Sequence, residues 1–408
     1  MILLRNPQVV FVFSSIFIAV LGLAKSLIFA KYLPFDSLGL LALFQSTMAL
    51  VATFHFGILS GGYRLASFYS EEKFKELNSV IFSLLFFLFS FFIFIIVFIE
   101  FFGLVDKIDK LTYLGLFAGC ITLFSNWAMN ISIAKGNLTS VNKAQLCGAI
   151  ASVITVPLIF YFELYAAFAV VIIQPVVIIF FLIKNVPYTL PDSFKIDVEV
   201  ARSIFKSGFY PFLAALFFIT YQQLEKMLVG YTLSIESLGQ LTLFYLTLTV
   251  WSIVPDTLTR LYFPKATFFF ENKNHIQFAN LFKQHFFIIA CYCFFCSFCV
   301  LYFTEPLVSK FLTQHVEFVG YVKLGVIAYT FKSLAENPAI RLLSMGCNNY
   351  ILIIDALCFF TYFAVFLYLF SSGALSILIF IYLAILYYFI KLILLSFFSV
   401  IATRGTNV

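Results

Sequence analysis

The sequence predicts an all-α polytopic membrane protein, with about twelve transmembrane helices in two parallel six-helix repeats around a central cavity. Three observations predict it. Of the 408 residues, 63% are hydrophobic and only 11% charged, with 58 Phe, which is more apolar surface than a soluble interior can hide. The apolar residues run in stretches of 18 or more, long enough to cross about 30 Å of hydrocarbon as helices, and lack the alternation of barrel strands. The chain also repeats itself. "DSLGLLALF" at 36–44 matches "ESLGQLTLF" at 236–244 in six of nine positions, and "ASFYSEEK" at 66–73 faces "ATFFFENK" at 266–273 at the same offset of 200.

In chain order the expected spans are 8–33, 38–60, 78–102, 112–134, 141–162 and 164–183, then 204–230, 237–263, 284–304, 318–342, 349–371 and 374–401. Backbone groups in lipid must be satisfied within the segment, so each span is a helix. The first is longer than a signal-peptide core and reads as a retained anchor. Loops stay below about 25 residues, which leaves no room for an extramembrane catalytic domain and argues against an enzyme.

Lys and Arg set the orientation. With both termini cytoplasmic, 16 of the 25 basic residues fall inside, Arg5, Arg64, Lys73, Lys273 and Arg404 among them, whereas Lys31, Lys107, Lys110 and Lys310 fall outside. The net charge of +6 is therefore a topology signal and no sign of nucleic-acid binding.

An offset of 200 residues spanning six helices returns the chain to the same side of the membrane. The copies are then parallel repeats about an axis along the membrane normal, able to expose a shared cavity alternately by rocking. The expected domains are a bundle over 1–183, a cytoplasmic linker over 184–203 holding Pro187 and Pro191, and a second bundle over 204–408.

Four segments carry a family resemblance. "FAKYLPFDSLGLLALFQSTMALVATFHFGILSGGYRL" (29–65) resembles the opening two spans of the polysaccharide flippases of the multidrug/oligosaccharidyl-lipid/polysaccharide exporter superfamily, with Gly57, Gly61, Gly62 and Arg64 in the expected places. "QLEKMLVGYTLSIESLGQLTLF" (223–244) is similar to that family's acidic-basic pair, with Glu225 where Asp is usual, beside Lys226. "AKGNLTSVNKA" (134–144) and "SMGCNNY" (344–350) match turns after spans 4 and 10. The resemblance implies a flippase that carries a polyprenyl-diphosphate-linked oligosaccharide, such as an O-antigen or capsule repeat unit, across a bacterial inner membrane by alternating access. Its implied partners are that substrate, membrane lipids and other glycan-assembly proteins. No cofactor is implied, and the coupling ion stays open between H+ and Na+.

Ionisable side chains within spans cost about 2.5–3.5 kcal/mol each on insertion scales, so each needs a reason. Lys25 in span 1 aligns with Glu225 in span 7, which adjoins Lys226; Arg64 and Arg260 lie near the cytoplasmic ends of spans 2 and 8. Together Lys25, Arg64, Lys226 and Arg260 would make a cationic lumen for a diphosphate. Long side chains at these depths can also reach headgroups, a reading that stays open. In related lipid flippases basic residues on spans 1, 2, 7 and 8 contact substrate, which the resemblance carries to these four.

Asp256–Arg260 and Lys332–Glu336 stand four apart on single helices, which places each pair on one face. They read either as mutual neutralisation or, with Glu225, as coupling and gating groups. Pro255 and Pro338 beside them predict broken helices. Asp355 and Lys391 read as isolated. "CYCFFCSFC" (291–299) holds no His or acid, so it reads as packing and not as a metal site. Trp127, Tyr63 and Tyr221 would meet sugar if they faced inward. His285 and His315 carry no expectation. The second reading of the fold is an ion-coupled exporter of small organic cations, which the excess of basic groups within spans opposes.

Overall fold

In the computed structural model the described residues are 7–66, 69–102 and 110–405. Arg5 and Lys107 lie outside them, and so do the side chains of Arg260 and Arg404. The described residues form helices α1 (Pro7–Tyr32), α2 (Phe35–Thr53), α3 (Ile58–Ala66), α4 (Glu71–Phe101), α5 (Lys110–Ala134), α6 (Leu138–Thr155) and α7 (Ile159–Asn185). These are followed by α8 (Val198–Thr232), α9 (Ile235–Gln240), α10 (Thr242–Glu271), α11 (His275–Phe311), α12 (Val319–Ser344), α13 (Asn348–Ser371) and α14 (Ile377–Gly405). There is no strand among the described residues.

Among the described residues, ten segments are long and apolar enough to cross a membrane. One of them, Leu138–Asn185, contains two expected spans. The chain turns at Glu163, whose φ of 45° leaves the helical region at the residue where the hydropathy pattern breaks. α12 is missing from the ten because Lys323, Lys332, Glu336 and Arg341 dilute its apolar stretch. With α6 and α7 counted separately and α12 added, the twelve expected spans are present, and the protein is a multi-pass membrane protein.

Expected span 38–60 is interrupted. α2 stops at Thr53 and α3 starts at Ile58. Between them Phe56 and Gly57 take φ of 50° and 87°, and the Gly57 N–H donates to Nδ1 of His55 at 3.2 Å. Gly57 is required twice over: its φ favours glycine, and an added Cβ would lie 2.7 Å from the Gly208 carbonyl carbon of α8.

The expected breaks at Pro255 and Pro338 do not occur, since both lie inside continuous helices. Pro255 has no N–H for the carbonyl of Trp251 one turn earlier. The Ser333 hydroxyl of α12 donates to that carbonyl instead, at 3.1 Å. The Trp251 indole in turn donates to Thr330 Oγ1 at 3.2 Å.

The chain divides into two units, Met1–Leu21 with Leu40–Met227, and Gly22–Gly39 with Leu228–Val408. In the first, Leu77, Ile81 and Leu85 of α4 pack with Trp127 and Ile131 of α5, Leu59 of α3 and Ile204 of α8. Trp127 is fully buried, and its indole donates to Asn78 Oδ1 at 2.9 Å. It is a core residue and offers no face to a sugar; Tyr221 is buried too, while Tyr63 is exposed. In the second unit the end of α1 is fastened by the 3₁₀ turn Thr313–Phe318. His315 Nε2–H donates to the Ala30 carbonyl at 3.0 Å, and Gln314 donates to the carbonyls of Ala30 and Leu33.

Candidate functional site

The expected site residues fall into both units. Arg64, on the last turn of α3, is exposed; Glu225 of α8 is buried at 4% exposure, and Lys226 beside it is half-buried and feels its charge. All three belong to the first unit, while Lys25, Asp256, Arg260, Lys332 and Glu336 belong to the second. Lys25 is half-buried within the apolar segment of α1 and has no carboxylate partner among the described residues.

The second unit brings three of the expected groups together. Lys332 Nζ donates to Ser252 Oγ at 2.6 Å, which seats the ammonium against α10 one turn before Asp256. Glu336 lies one turn after Lys332 on the same helix, and Lys332 interacts electrostatically with both Glu336 and Asp256. The i,i+4 spacing of the sequence is thus realised, but it is only part of a larger network. Lys391 of α14 pairs with Asp355 of α13 at 2.5 Å, with side-chain exposures of 13% and 6%. Both also interact with Glu336. The two residues that read as isolated therefore complete a set of three carboxylates and two ammoniums on α10, α12, α13 and α14. With every member ionised these five groups carry one more negative than positive charge, before Arg260, whose side chain lies outside the described residues, is counted. Sequence spacing could not find Asp355 and Lys391, because helices α13 and α14 meet only in the fold.

A second cluster joins α11 and α12 at the residues that follow Glu336. His285 is fully buried, and its Nδ1 accepts from Asn337 Nδ2 at 2.9 Å. Asn337 also donates to the Phe282 carbonyl at 3.0 Å. Arg341 lies 5.8 Å from the ring centroids of Phe278 and Phe282, within range of a cation–π contact. Cys293 and Cys296 are buried in α11, and Tyr292 beside them donates to the Val250 carbonyl at 2.5 Å.

Charged groups inside apolar helices do not by themselves name the fold, and solved structures do. No family model and no curated protein matches the chain. An inward-facing multidrug resistance MATE family transporter of the MOP superfamily is similar over 96% of this chain and 95% of its own, with a TM-score of 0.74 at 13% identity. The lipid II flippase MurJ, in an inward closed conformation, is similar over 95% of this chain and 86% of its own, with a TM-score of 0.72 at 11% identity. The chain has the MOP transporter fold. A third solved structure with this fold, a MOP superfamily transporter from Pyrococcus furiosus described as having a binding pocket of reversed polarity, covers 100% of this chain at 14% identity, with a TM-score of 0.64. The likeness is one of fold, so substrate class has to be argued from this chain's own residues.

Proposed function

We propose that the protein is a flippase that moves a polyprenyl-diphosphate-linked oligosaccharide from the inner to the outer leaflet of a bacterial plasma membrane by alternating access. The observation that carries this reading is Lys25, a cation within an apolar helix that has no carboxylate partner among the described residues. An unpaired ammonium at that depth costs about 2.5–3.5 kcal/mol, a cost that a diphosphate passing the site offsets by charge-assisted hydrogen bonds. Arg64, Lys226 and Arg260 are the further cations that the sequence assigns to the substrate, and the likeness to a lipid flippase supports the reading. The five-charge network of the second unit is the coupling element, taking up H+ or Na+ as the bundles rock.

The test is neutralisation. Lys226→Gln with Arg260→Gln, and separately Lys25→Gln, abolish surface glycan in cells that depend on this chain, while protein level in the membrane is unchanged. Glycan export that survives all three changes refutes the cationic lumen.

A second reading, an ion-coupled exporter of small organic cations, is favoured by the MATE likeness and by the buried carboxylate of Glu225. It predicts raised resistance to cationic dyes in a sensitised host and no effect on glycan.

A further inference from the structure

A cavity of about 480 Å³ lies in the second unit, against the last turns of α1. Leu27 and Lys31 of α1, Leu246 and Val250 of α10, and Thr304 and Leu307 of α11 are among its walls. Apart from Lys31 and two threonines the lining is apolar, and no carboxylate contributes to it.

Its depth is that of one leaflet. α1 lines it from Leu23 to Lys31, about 12 Å of helix at 1.5 Å per residue. α11 lines it from Val300 to Phe311, about 16.5 Å by the same measure. Half of a hydrocarbon core of about 30 Å falls between these values. A volume of about 480 Å³ is enough for a stretch of hydrocarbon chain.

Two lysines stand at the mouth. Lys31 is exposed where α1 ends, and Lys310 is exposed in the last turn of α11 next to Phe311, itself part of the wall. Glu305, on α11, is paired with Lys323 at 2.9 Å. An apolar slot of this length, with Lys31 in its wall and Lys310 nearby, fits a hydrocarbon chain whose head is anionic.

We propose that this cavity holds a stretch of the polyprenyl chain of the lipid carrier, with the carrier phosphate at Lys31. The assignment rests on the lipid-linked reading above and names where that substrate's tail lodges in the outward half of the membrane.

The probe is a polyprenyl phosphate with a diazirine on its chain, added to the full-length protein in phosphatidylcholine nanodiscs, irradiated and mapped by peptide mass spectrometry. Label is expected on the wall segments of α1 and α11. Excess unlabelled polyprenyl phosphate reduces it at least fivefold, and the same amount of phosphatidylglycerol does not. Thr304→Trp, which fills the cavity from a half-exposed position, and Lys31→Gln each reduce it at least fivefold with helix content unchanged by circular dichroism. Label spread evenly over the lipid-facing surface, or suppressed equally by phosphatidylglycerol, overturns the proposal and leaves the cavity to an ordinary bilayer lipid. Failure here is separable from failure of the flippase reading. A protein that moves lipid-linked oligosaccharide across vesicles without labelling the wall loses the tail site alone. A protein that labels the wall yet moves only organic cations keeps the site and loses the flippase.

Discussion

Gly39 of α2 and Gly239 of α9 each lie directly against the backbone of the other repeat copy. A Cβ on Gly39 would overlap the Ile235 carbonyl, and one on Gly239 would overlap the Phe35 carbonyl. The two copies of the repeated "SLG" motif therefore meet each other, each glycine touching the residue four places before its counterpart. The obstacles are backbone atoms, which cannot swing aside.

Gly39→Ala and Gly239→Ala should each destabilise the protein by about 1–3 kcal/mol, the usual range for overpacking. Because they relieve and strain one shared crossing, the double variant should cost less than the sum. Gly22 and Gly320 have nothing within 4 Å of an added Cβ, so Gly22→Ala and Gly320→Ala serve as controls and should be neutral or slightly stabilising. Thermal unfolding in detergent measures all five. Full additivity at Gly39 and Gly239 would contradict a common contact.

Ser333→Ala should leave the Trp251 carbonyl without its donor, at a cost of about 1–3 kcal/mol for a buried unsatisfied group. Pro255→Ala restores the backbone N–H that the proline lacks. In that background the same Ser333→Ala change should cost clearly less, and a double-mutant cycle on thermal midpoints reads the difference. Equal costs in both backgrounds would mean that the hydroxyl does not stand in for the missing N–H.

The repeat, the twelve spans and the turn at Glu163 were all legible in the sequence, because hydropathy period and span length are local properties. The i,i+4 relation of Lys332 and Glu336 was legible for the same reason. The break before Gly57 was not, since it depends on Gly208 lying against it. Nor was the continuity of α10 through Pro255, which depends on Ser333 from another helix. Trp127 meets a sugar only if it faces an open lumen, and its burial beside Asn78 of another helix is not readable from local sequence. His315 gave no signal at all, since its partner Ala30 is 285 residues away.

Burial pushes the His315 imidazole below its ordinary range, and the hydrogen bond to the Ala30 carbonyl opposes this only in part. The folded protein therefore binds that proton less readily than the unfolded chain. The contribution is fully present above about pH 6.5, the unfolded value, and is lost as the pH falls from there through the depressed folded value. The thermal midpoint should drop between pH 7.5 and pH 5, and His315→Gln should flatten that slope. A slope unchanged by the substitution would assign the pH dependence to other groups.

Lys391 and Asp355 make the most sharply defined ion pair of the second unit, and both side chains are largely buried. Removing one partner from such a pair costs about 3–5 kcal/mol, because the other charge is left uncompensated. Lys391→Met is expected to fall in that range, since the largely buried Asp355 would lose the ammonium it pairs with. Asp355→Asn together with Lys391→Met removes one charge of each sign and keeps the balance of the set, so most of the loss should be recovered. Fluorescence-detected size exclusion after a heat step measures folded yield for each. A double variant as unstable as Lys391→Met would place the role of Lys391 in packing, whereas recovery makes charge balance among the five groups the property that holds these four helices together.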